Sequence, residues 1–153
     1  MPKLLLIFGI LFLSSCNASK PITDKNVSDF IDLWHQAASN AELDTFFDMM
    51  SESSIYIGTD ASERWSKKEF YEYCEPRFTE NKTWHFKPYN RQIYLSKDQE
   101  TIWFDELLNT RMGICRGSGV VENINGELKI SHYHLSVTIK NEKMNEFLQI
   151  NQK

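Results

Sequence analysis

Apolar residues along the chain follow a helical spacing first and a strand-like spacing later. They recur every three or four positions over residues 27–38 and again over residues 43–50, which predicts two consecutive helices. Thr23 or Asp24 can cap the first of these helices at its start. Apolar and small or polar residues then alternate over residues 53–59, which predicts a short strand.

A third helix and a long strand follow a polar loop at residues 59–65. Ser66 and Glu69 form the pattern of a capping box, in which each side chain accepts a hydrogen bond from the other residue's backbone N–H. The helix that begins there contains Pro76, which has no N–H to donate and predicts a bend or an end at that point. Residues 83–96 predict a long strand that is broken near its proline.

The segment from residue 101 to residue 140 predicts the main part of a sheet. Within it, Asn125 and Gly126 both tolerate the positive φ of a tight type I′ turn. This pair is the strongest short-range signal for a hairpin. The pattern therefore predicts two antiparallel strands in which Ile124 faces Glu127.

The register of this hairpin decides which side chains share a face. Counting back from the turn places Ser118 opposite Tyr133 and Arg116 opposite Leu135. Because side chains alternate, Arg116, Ser118 and Tyr133 then lie on one face. The apolar positions of the last strand change phase, which indicates a bulge near Ser131 or a strand buried on both sides. One bulge would exchange the two faces beyond it.

Three early helices, one short strand among them and several long antiparallel strands predict an α+β fold. We expect a strongly curved antiparallel sheet that packs against the three N-terminal helices. Such a sheet forms a cone that the helices do not fill completely, which predicts a pocket inside it. The segment after residue 140 is expected to be a weak helix or a frayed tail.

The first twenty residues have the features of a targeting segment. Lys3 precedes an apolar run at residues 4–13, which is too short to span a bilayer comfortably. The run ends at Cys16 in a pattern that resembles the bacterial lipobox, where the cysteine is lipidated. This resemblance implies a signal peptide at residues 1–15, a lipidated cysteine with a tether at residues 16–22, and a domain held on a membrane of the bacterial cell envelope, outside the cytoplasm. The alternative is an ordinary signal peptide with a chance cysteine.

Composition and charge narrow the range of partners. The chain has 153 residues, of which 41% are hydrophobic and 13% aromatic, which suits one globular domain. Its net charge is −4 with no basic stripe, so we expect no nucleic-acid partner. Cys74 and Cys115 could form a disulfide outside the cytoplasm, but two cysteines without framework spacing are more often buried free thiols.

The order of the predicted elements resembles the nuclear transport factor 2-like superfamily, which has a cystatin-like cone. Four segments look like its SnoaL-like branch, at residues 58–65, 103–108, 116–120 and 132–136. The resemblance implies a SnoaL-like domain over residues 23–142, followed by a tail at residues 143–153. That superfamily includes isomerases, dehydratases, cyclases, binding modules and assembly hubs, so the fold alone does not select a function.

The predicted pocket face carries a charged pair. Asp105 and Arg116 lie on successive strands, where they form either a pair that holds or polarises a ligand or a structural ion pair on a half-exposed sheet. The candidate ligand-binding residues are Tyr56, Trp65, Trp103, Asp105, Arg116, Ser118 and Tyr133. The aromatic members are chosen because they lie in or beside the segments that should line the cone.

A second constellation contains His132 and His134, which share the opposite face, with Glu106 diagonally near His134. Two histidines and a carboxylate are able to bind a transition metal. The superfamily resemblance implies no metal and places this side of the sheet in dimer contacts. We therefore expect packed or hydrogen-bonded histidines at the face of a homodimer, with no metal and no cofactor.

Three functions follow as alternatives. The first is a membrane-anchored domain that binds a small, mostly apolar molecule in its conical pocket. The second is an enzyme that resembles a polyketide cyclase or ketosteroid isomerase, with Asp105 as general base and Arg116 or Tyr133 as the oxyanion partner. The third is an accessory or scaffold lipoprotein without catalysis. A fully packed cone would favour the scaffold, and an open cone with unpaired polar groups would favour a ligand or an enzyme.

Overall fold

A computed structural model describes residues 21–151 of the chain. The predicted signal peptide and the lipidated Cys16 lie outside the described residues, so both remain predictions. No helix in the described part of the chain is long and apolar enough to cross a bilayer.

Three helices lie on one side of the sheet: α1 (Asp24–Ser39), α2 (Leu43–Asp48) and α3 (Lys67–Thr79). Thr23 caps α1, because its hydroxyl accepts a hydrogen bond from the N–H of Asn26 while the Asn26 side chain accepts one from the N–H of Thr23. The predicted capping box at the start of α3 is confirmed. The helix does not end at Pro76, which lies in its last turn and removes only one hydrogen bond.

Six strands form one mixed sheet in the order β2-β1-β6-β5-β4-β3. The strands are β1 (Met50–Ile57), β2 (Arg64–Ser66), β3 (Lys87–Leu95), β4 (Thr101–Thr110), β5 (Gly113–Ile124) and β6 (Glu127–Val137). Strand β2 lies in a segment predicted to be a loop, and β3 begins four residues later than predicted. The α+β class is confirmed.

The sequence predicted a purely antiparallel sheet, but the sheet contains one parallel pair of strands. Strand β1 runs parallel to β6, with Ile55 opposite His132 and Ile57 opposite His134. The other strand pairs are antiparallel. The first and last strands can be parallel neighbours because α3 and β2 through β5 lie between them in the chain, which supplies the long crossover that a parallel pair needs.

The predicted hairpin is confirmed, and of the two alternatives for the phase change near Ser131 the structure has the bulge. Asn125 and Gly126 have φ values of 56° and 90°, and Ile124 faces Glu127. Farther from the turn, the partners of Val121 and Val120 are Ile130 and His132, so Ser131 is the extra residue of a β-bulge.

The bulge moves the register of β5 and β6 by one residue. Ser118 therefore lies opposite His134 and Arg116 opposite Ser136, instead of Tyr133 and Leu135 as predicted. Tyr133 thus belongs to the face opposite to Ser118 and Arg116.

The inner face of the sheet, which packs against the helices, is almost entirely apolar. Its buried members on β4, β5 and β6 are Ile102, Phe104, Glu106, Leu108, Cys115, Gly117, Gly119, Val121, Ile130, Tyr133 and Leu135. Gly119 allows a close approach, since a Cβ there would lie 2.7 Å from both the His132 carbonyl oxygen and the ring of Phe104. The one carboxylate in this set, Glu106, needs a compensating partner.

The two cysteines and the segment after β6 have the structures that the sequence predicted. Cys74 and Cys115 are buried free thiols, as expected. Burial raises the pKa of the Cys74 thiol to about 12, although nearby Arg77 opposes this shift. After β6 the chain forms a 3-10 turn at Asn141–Lys143 and a helix α4 at Met144–Asn151, which is the helical alternative for this segment.

Candidate ligand-binding site

A cavity of about 290 Å³ lies between strands β1 and β2, helix α3 and the turn that joins β4 to β5. Aromatic side chains make up much of its wall. The lining residues are Tyr56, Gly58, Thr59, Glu63, Trp65, Phe70, Tyr73, Thr83, Trp84, His85, Phe86, Thr110, Arg111, Met112 and Leu135. The volume is close to the lower end of the range of ~300–1,000 Å³ that is usual for small-molecule pockets.

The aromatic wall is assembled from a strand pair and a helix. Tyr56 on β1 lies directly opposite Trp65 on β2, with ring centroids 6.2 Å apart. Phe70 on α3 stacks on Tyr56 at 3.9 Å, and Tyr73 follows one turn later on the same side of the helix. The capping box of α3 fixes where this helix begins and therefore where its two rings face. Of the predicted pocket residues, Tyr56 and Trp65 lie in this wall.

Polar groups of both charge signs border the same cavity. Glu63 folds over Gly58, and its carboxylate accepts a hydrogen bond from the Asp60 N–H at 3.2 Å. Arg111 lies in the exposed β4–β5 turn, and His85 is exposed on the segment before β3. The sequence analysis did not select these three residues, because charged and polar residues in a turn or loop are most often simply solvated.

The predicted charged pair exists but lies on the outer face of the sheet. Arg116 donates to Asp105 over 2.9 Å, and the two side chains are 53% and 36% exposed. Trp103 and Ser118 lie on this outer face as well. Placing these four residues in the pocket was therefore wrong. The cause is the bulge at Ser131, which puts Tyr133 on the inner face while its expected neighbours remain outside.

Tyr133 is inside the fold but one layer behind the cavity. It is fully buried, and its ring lies 4.9 Å from that of Trp34 and 5.5 Å from that of Tyr56. Its hydroxyl has no hydrogen-bond partner among the described residues and occupies the space above Gly117. Burial raises the pKa of Tyr133 well above its ordinary value, so this hydroxyl stays neutral.

A buried ion network that the sequence analysis missed lies beside Tyr133. Glu106, which is fully buried, has its Oε1 atom 2.7 Å from Nε2 of His35. Its Oε2 atom accepts a hydrogen bond from Nε of Arg91 at 2.8 Å and forms an ion pair with Nη2 of the same guanidinium at 2.7 Å. Arg91 also donates to Asp32 at 2.7 Å and to the carbonyl and hydroxyl oxygens of Ser28 at 2.9 and 2.8 Å. The network therefore joins α1 to strands β3 and β4.

A bulge in β3 directs Arg91 into this network. Tyr89 lies opposite Leu107 and Gln92 opposite Asp105, so two residues of β3, Asn90 and Arg91, face Glu106 alone. Asn90 takes a left-handed conformation with a φ of 52°. The extra residue turns Arg91 toward the inner face, which strict alternation from the rest of β3 would not predict.

The network has a structural function in this arrangement. Burial by itself would raise the pKa of Glu106, but the hydrogen bond and charge of His35 and the charge of Arg91 outweigh it, and the pKa is lowered overall. Both carboxylate oxygens have protein partners, with His35 at Oε1 and Arg91 at Oε2. His35 does not line the cavity, whereas Phe86 borders it and has its ring 5.7 Å from the imidazole ring.

The two histidines of β6 lie apart from this carboxylate. His132 and His134 are half-buried on the outer face, while Glu106 points inward to His35. The expected proximity of Glu106 and His134 was therefore wrong. Within residues 21–151 no three histidine, cysteine or acidic side chains come together in a way that would hold a metal ion.

Comparison with known structures identifies the fold. An NTF2-like protein of unknown function from Pseudomonas putida KT2440 matches with a TM-score of 0.66 at 11% identity, over 78% of this chain and 89% of that chain. A protein of unknown function with a cystatin-like fold from Nostoc punctiforme matches with a TM-score of 0.61 at 12% identity, over 75% and 91% of the two chains. The association domain of CaMKII from C. elegans matches with a TM-score of 0.60 at 13% identity, over 74% and 94%. At these identities the likeness shows the fold alone.

Comparison of sequences identifies the family. Among curated proteins, none matches the sequence significantly. The profile of the SnoaL-like domain matches residues 27–140, which is more than half of the chain and spans every element from α1 to β6 except the first turn of α1. The chain therefore belongs to the SnoaL-like domain family, with an NTF2-like fold.

Proposed function

We propose that this SnoaL-like domain binds a small, mostly apolar molecule in its aromatic cavity. The observation that carries the proposal is the cavity itself, a void of about 290 Å³ walled by Tyr56, Trp65, Phe70, Tyr73, Trp84 and Phe86. A concave site lined mainly by aromatic side chains, with a few polar groups at its border, has the usual form of a small-molecule pocket. A vestigial, fully packed cone, which a purely structural scaffold would tolerate, does not contain such a space.

The wall is suited to an apolar molecule for two reasons. Removing apolar surface from water contributes about 25 cal/mol per Å², and aromatic rings offer a large area for that contact. The rings are also packed against each other, with Phe70 only 3.9 Å from Tyr56, so little side-chain freedom remains to be lost on binding. The polar groups at Glu63, His85 and Arg111 then orient the molecule.

The enzyme alternative does not fit the arrangement that motivated it. Asp105 and Arg116 lie on the face of the sheet opposite to the cavity, so neither can act on a molecule bound there. Tyr133 does not line the cavity, because the ring of Tyr56 lies in front of it. Ligand binding without catalysis is the function that we propose.

Native mass spectrometry of the purified full-length chain tests this function. We expect a bound small molecule that dissociates on denaturation. Leu135→Trp should fill the cavity and remove it, whereas Ser136→Trp, on the outer face of the same strand, should not. Circular dichroism checks that both variants fold. A wild-type chain that carries no ligand, and that takes up none from a lipid extract of the cells, would contradict the proposal.

We propose further that Cys16 anchors the domain to a membrane of the cell envelope. The support is the apolar run that ends in a lipobox-like sequence at this cysteine. Two acyl chains hold a protein stably where one alone is marginal. Cys16→Ala should release the domain from the membrane fraction and abolish the incorporation of labelled fatty acid. A variant that stays in the membrane, together with a wild type that takes up no label, would refute the anchor.

A further inference from the structure

We propose that the cavity recognises a small apolar molecule that carries an alkylated ammonium group, and that Glu63 is the residue that selects the positive charge. This inference rests on the proposed function and names the class of ligand. It joins two observations. A carboxylate is fixed at the border of the cavity, and most of the wall beside it consists of aromatic rings.

The loop between β1 and β2 holds the Glu63 carboxylate in place. Glu63 is half-buried, borders the cavity and accepts a side-chain hydrogen bond from the Asp60 N–H at 3.2 Å. Its backbone closes the same loop, because its carbonyl oxygen accepts from the Gly58 N–H at 2.8 Å and its own N–H donates to the Asp60 carbonyl at 2.9 Å. Gly58 leaves room for the carboxylate, since a Cβ at that position would collide with Oε2 of Glu63. The fold therefore determines where this charge lies.

The aromatic rings of the wall favour the same sign of charge. The face of an aromatic ring is negative, so a cation within about 6 Å of the ring centroid is attracted to it, and more strongly where water is excluded. Tyr56, Trp65 and Tyr73 all border the cavity, with the ring of Trp65 6.2 Å from that of Tyr56 and 4.6 Å from that of Tyr73. A carboxylate beside several ring faces is a combination that suits an organic cation.

The positive side chains in this region are placed less favourably for contact with a bound molecule. Arg111 and His85 border the cavity but are exposed, so water and salt screen any charge they carry. Arg77 is not one of the lining residues, and its guanidinium stacks on Tyr73 with Cζ 3.7 Å from the ring centroid. Glu63 is thus the best shielded charge at the border of the cavity, and a molecule that leaves water to enter meets a negative environment.

An alkylated ammonium fits this wall better than a primary one. A primary ammonium has three N–H donors that need acceptors once water is removed, and the wall is mostly apolar. Alkyl groups replace these donors with apolar surface that contacts the rings, while the positive charge remains. Such a cation is still a mostly apolar molecule, which agrees with the proposed function.

Two probes of the same shape separate the charge from the apolar contact. Phenyltrimethylammonium has a positive nitrogen where tert-butylbenzene has a neutral carbon. Isothermal titration of the purified full-length chain should show the cation binding about tenfold more tightly. Glu63→Gln keeps an acceptor oxygen for the Asp60 N–H but removes the charge, and it should reduce this ratio to about one by weakening the cation alone.

Glu122→Gln is the matched control. It removes the same charge from the end of β5 that lies away from the β4–β5 turn, and Glu122 does not line the cavity. The ratio of the two affinities should be unchanged in this variant. The neutral probe also reports on folding, because it needs an intact wall but no charge.

Each result has a definite meaning. A tenfold preference for the cation that disappears in Glu63→Gln and persists in Glu122→Gln supports the inference. If the wild type binds the neutral probe as tightly as the cation or more tightly, or if the preference survives in Glu63→Gln, the role of Glu63 is wrong although the cavity still binds apolar molecules. Equal weakening of both probes in Glu63→Gln would show that Glu63 only supports the loop, and would also overturn the inference. If neither probe binds up to its solubility limit, the inference and the cavity as a binding site are both overturned.

Discussion

Two neighbouring residues on β4 show how strongly the contribution of a charge to stability depends on the face of the sheet that carries it. Asp105 points outward to Arg116 and is 36% exposed, while Glu106 points inward to His35 and Arg91 and is fully buried. The exposed pair is screened by water, so its loss matters little. Removing the buried carboxylate leaves two donors without a partner in a medium that solvates them poorly.

These positions predict different losses of unfolding free energy for two matched substitutions. Glu106→Gln should lower the free energy of unfolding by about 3–5 kcal/mol, which is typical of breaking a buried ion pair. Asp105→Asn should lower it by less than about 1 kcal/mol. Urea melts of both variants measure the difference. Equal losses would mean that Glu106 is as well solvated as Asp105, and the inner network would then be misassigned.

The same network predicts how stability depends on pH. The pKa of Glu106 is lowered below its ordinary value of 4.5 in the folded state, because His35 and Arg91 outweigh the effect of burial. A lowered folded pKa adds stability above the unfolded pKa, and that stability is lost as the pH falls through the folded pKa. The difference in unfolding free energy between wild type and Glu106→Gln should therefore be constant near neutral pH and shrink below about pH 4.5. A difference that grows in acid would contradict this sign.

At the residue scale, sequence patterns identified some residues of the cavity and of the buried network and missed others. Tyr56 and Trp65, which were chosen because they lie in or beside the segments that resemble the SnoaL-like branch, border the cavity. His35 was not selected, since one histidine within an apolar helical stripe looks like any packed core residue. Arg91 was missed because a bulge, not the alternation of the strand, turns it inward. Nothing in the neighbouring sequence says which of two residues at a bulge is the extra one.

At the scale of elements, β3 depends on the left-handed conformation of Asn90. Asparagine tolerates a φ of 52° better than other residues with a side chain, and glycine adopts it freely. Asn90→Gly should therefore change the free energy of unfolding by less than about 1 kcal/mol, whereas Asn90→Val should destabilise by more than that, since branching at Cβ opposes positive φ. Thermal melts decide between them. A valine variant as stable as the glycine variant would show that the bulge is not required at this residue.

Elements with local signals were predictable, and elements defined by distant contacts were not. The caps at Thr23 and Ser66 and the turn at Asn125 and Gly126 depend on interactions within four residues, and all three were predicted, the first with Asp24 as the alternative. The parallel pairing of β1 with β6 depends on residues far apart in the chain, and no local pattern distinguishes it from an antiparallel pair. Strand β2 has only three residues, which is too short for an alternation to be recognised.

At the scale of the whole molecule, the outer face of the sheet carries a pair of exposed aromatic side chains among polar and charged residues. Trp103 and Tyr94 are 46% and 44% exposed, and their rings are neighbours at 5.8 Å on paired strands. His132 and His134 lie on the same face. Contiguous exposed aromatic side chains of this kind usually mark a contact surface. We propose that this face joins two copies of the chain as a homodimer.

Light scattering tests the dimer directly. Residues 20–153 should have twice the monomer mass at micromolar concentration, and Trp103→Lys should shift the population to monomers because it places a charge in the contact surface. Lys97→Ala, in the turn between β3 and β4, serves as a control that should leave the mass unchanged. A wild-type domain that remains monomeric at these concentrations would remove the proposal.

The parallel pair of β1 and β6 also constrains the order in which the chain can fold. Ile55 meets His132, 77 positions later, so β1 has no central neighbour until almost the whole domain has been synthesised. The antiparallel strands β3 to β6 contact their neighbours through short turns and are able to form first. Tyr56 belongs to β1, and the cavity wall therefore closes only when this long-range contact is made. A nascent chain released before β6 is complete would carry a partial sheet, but it would have no binding site.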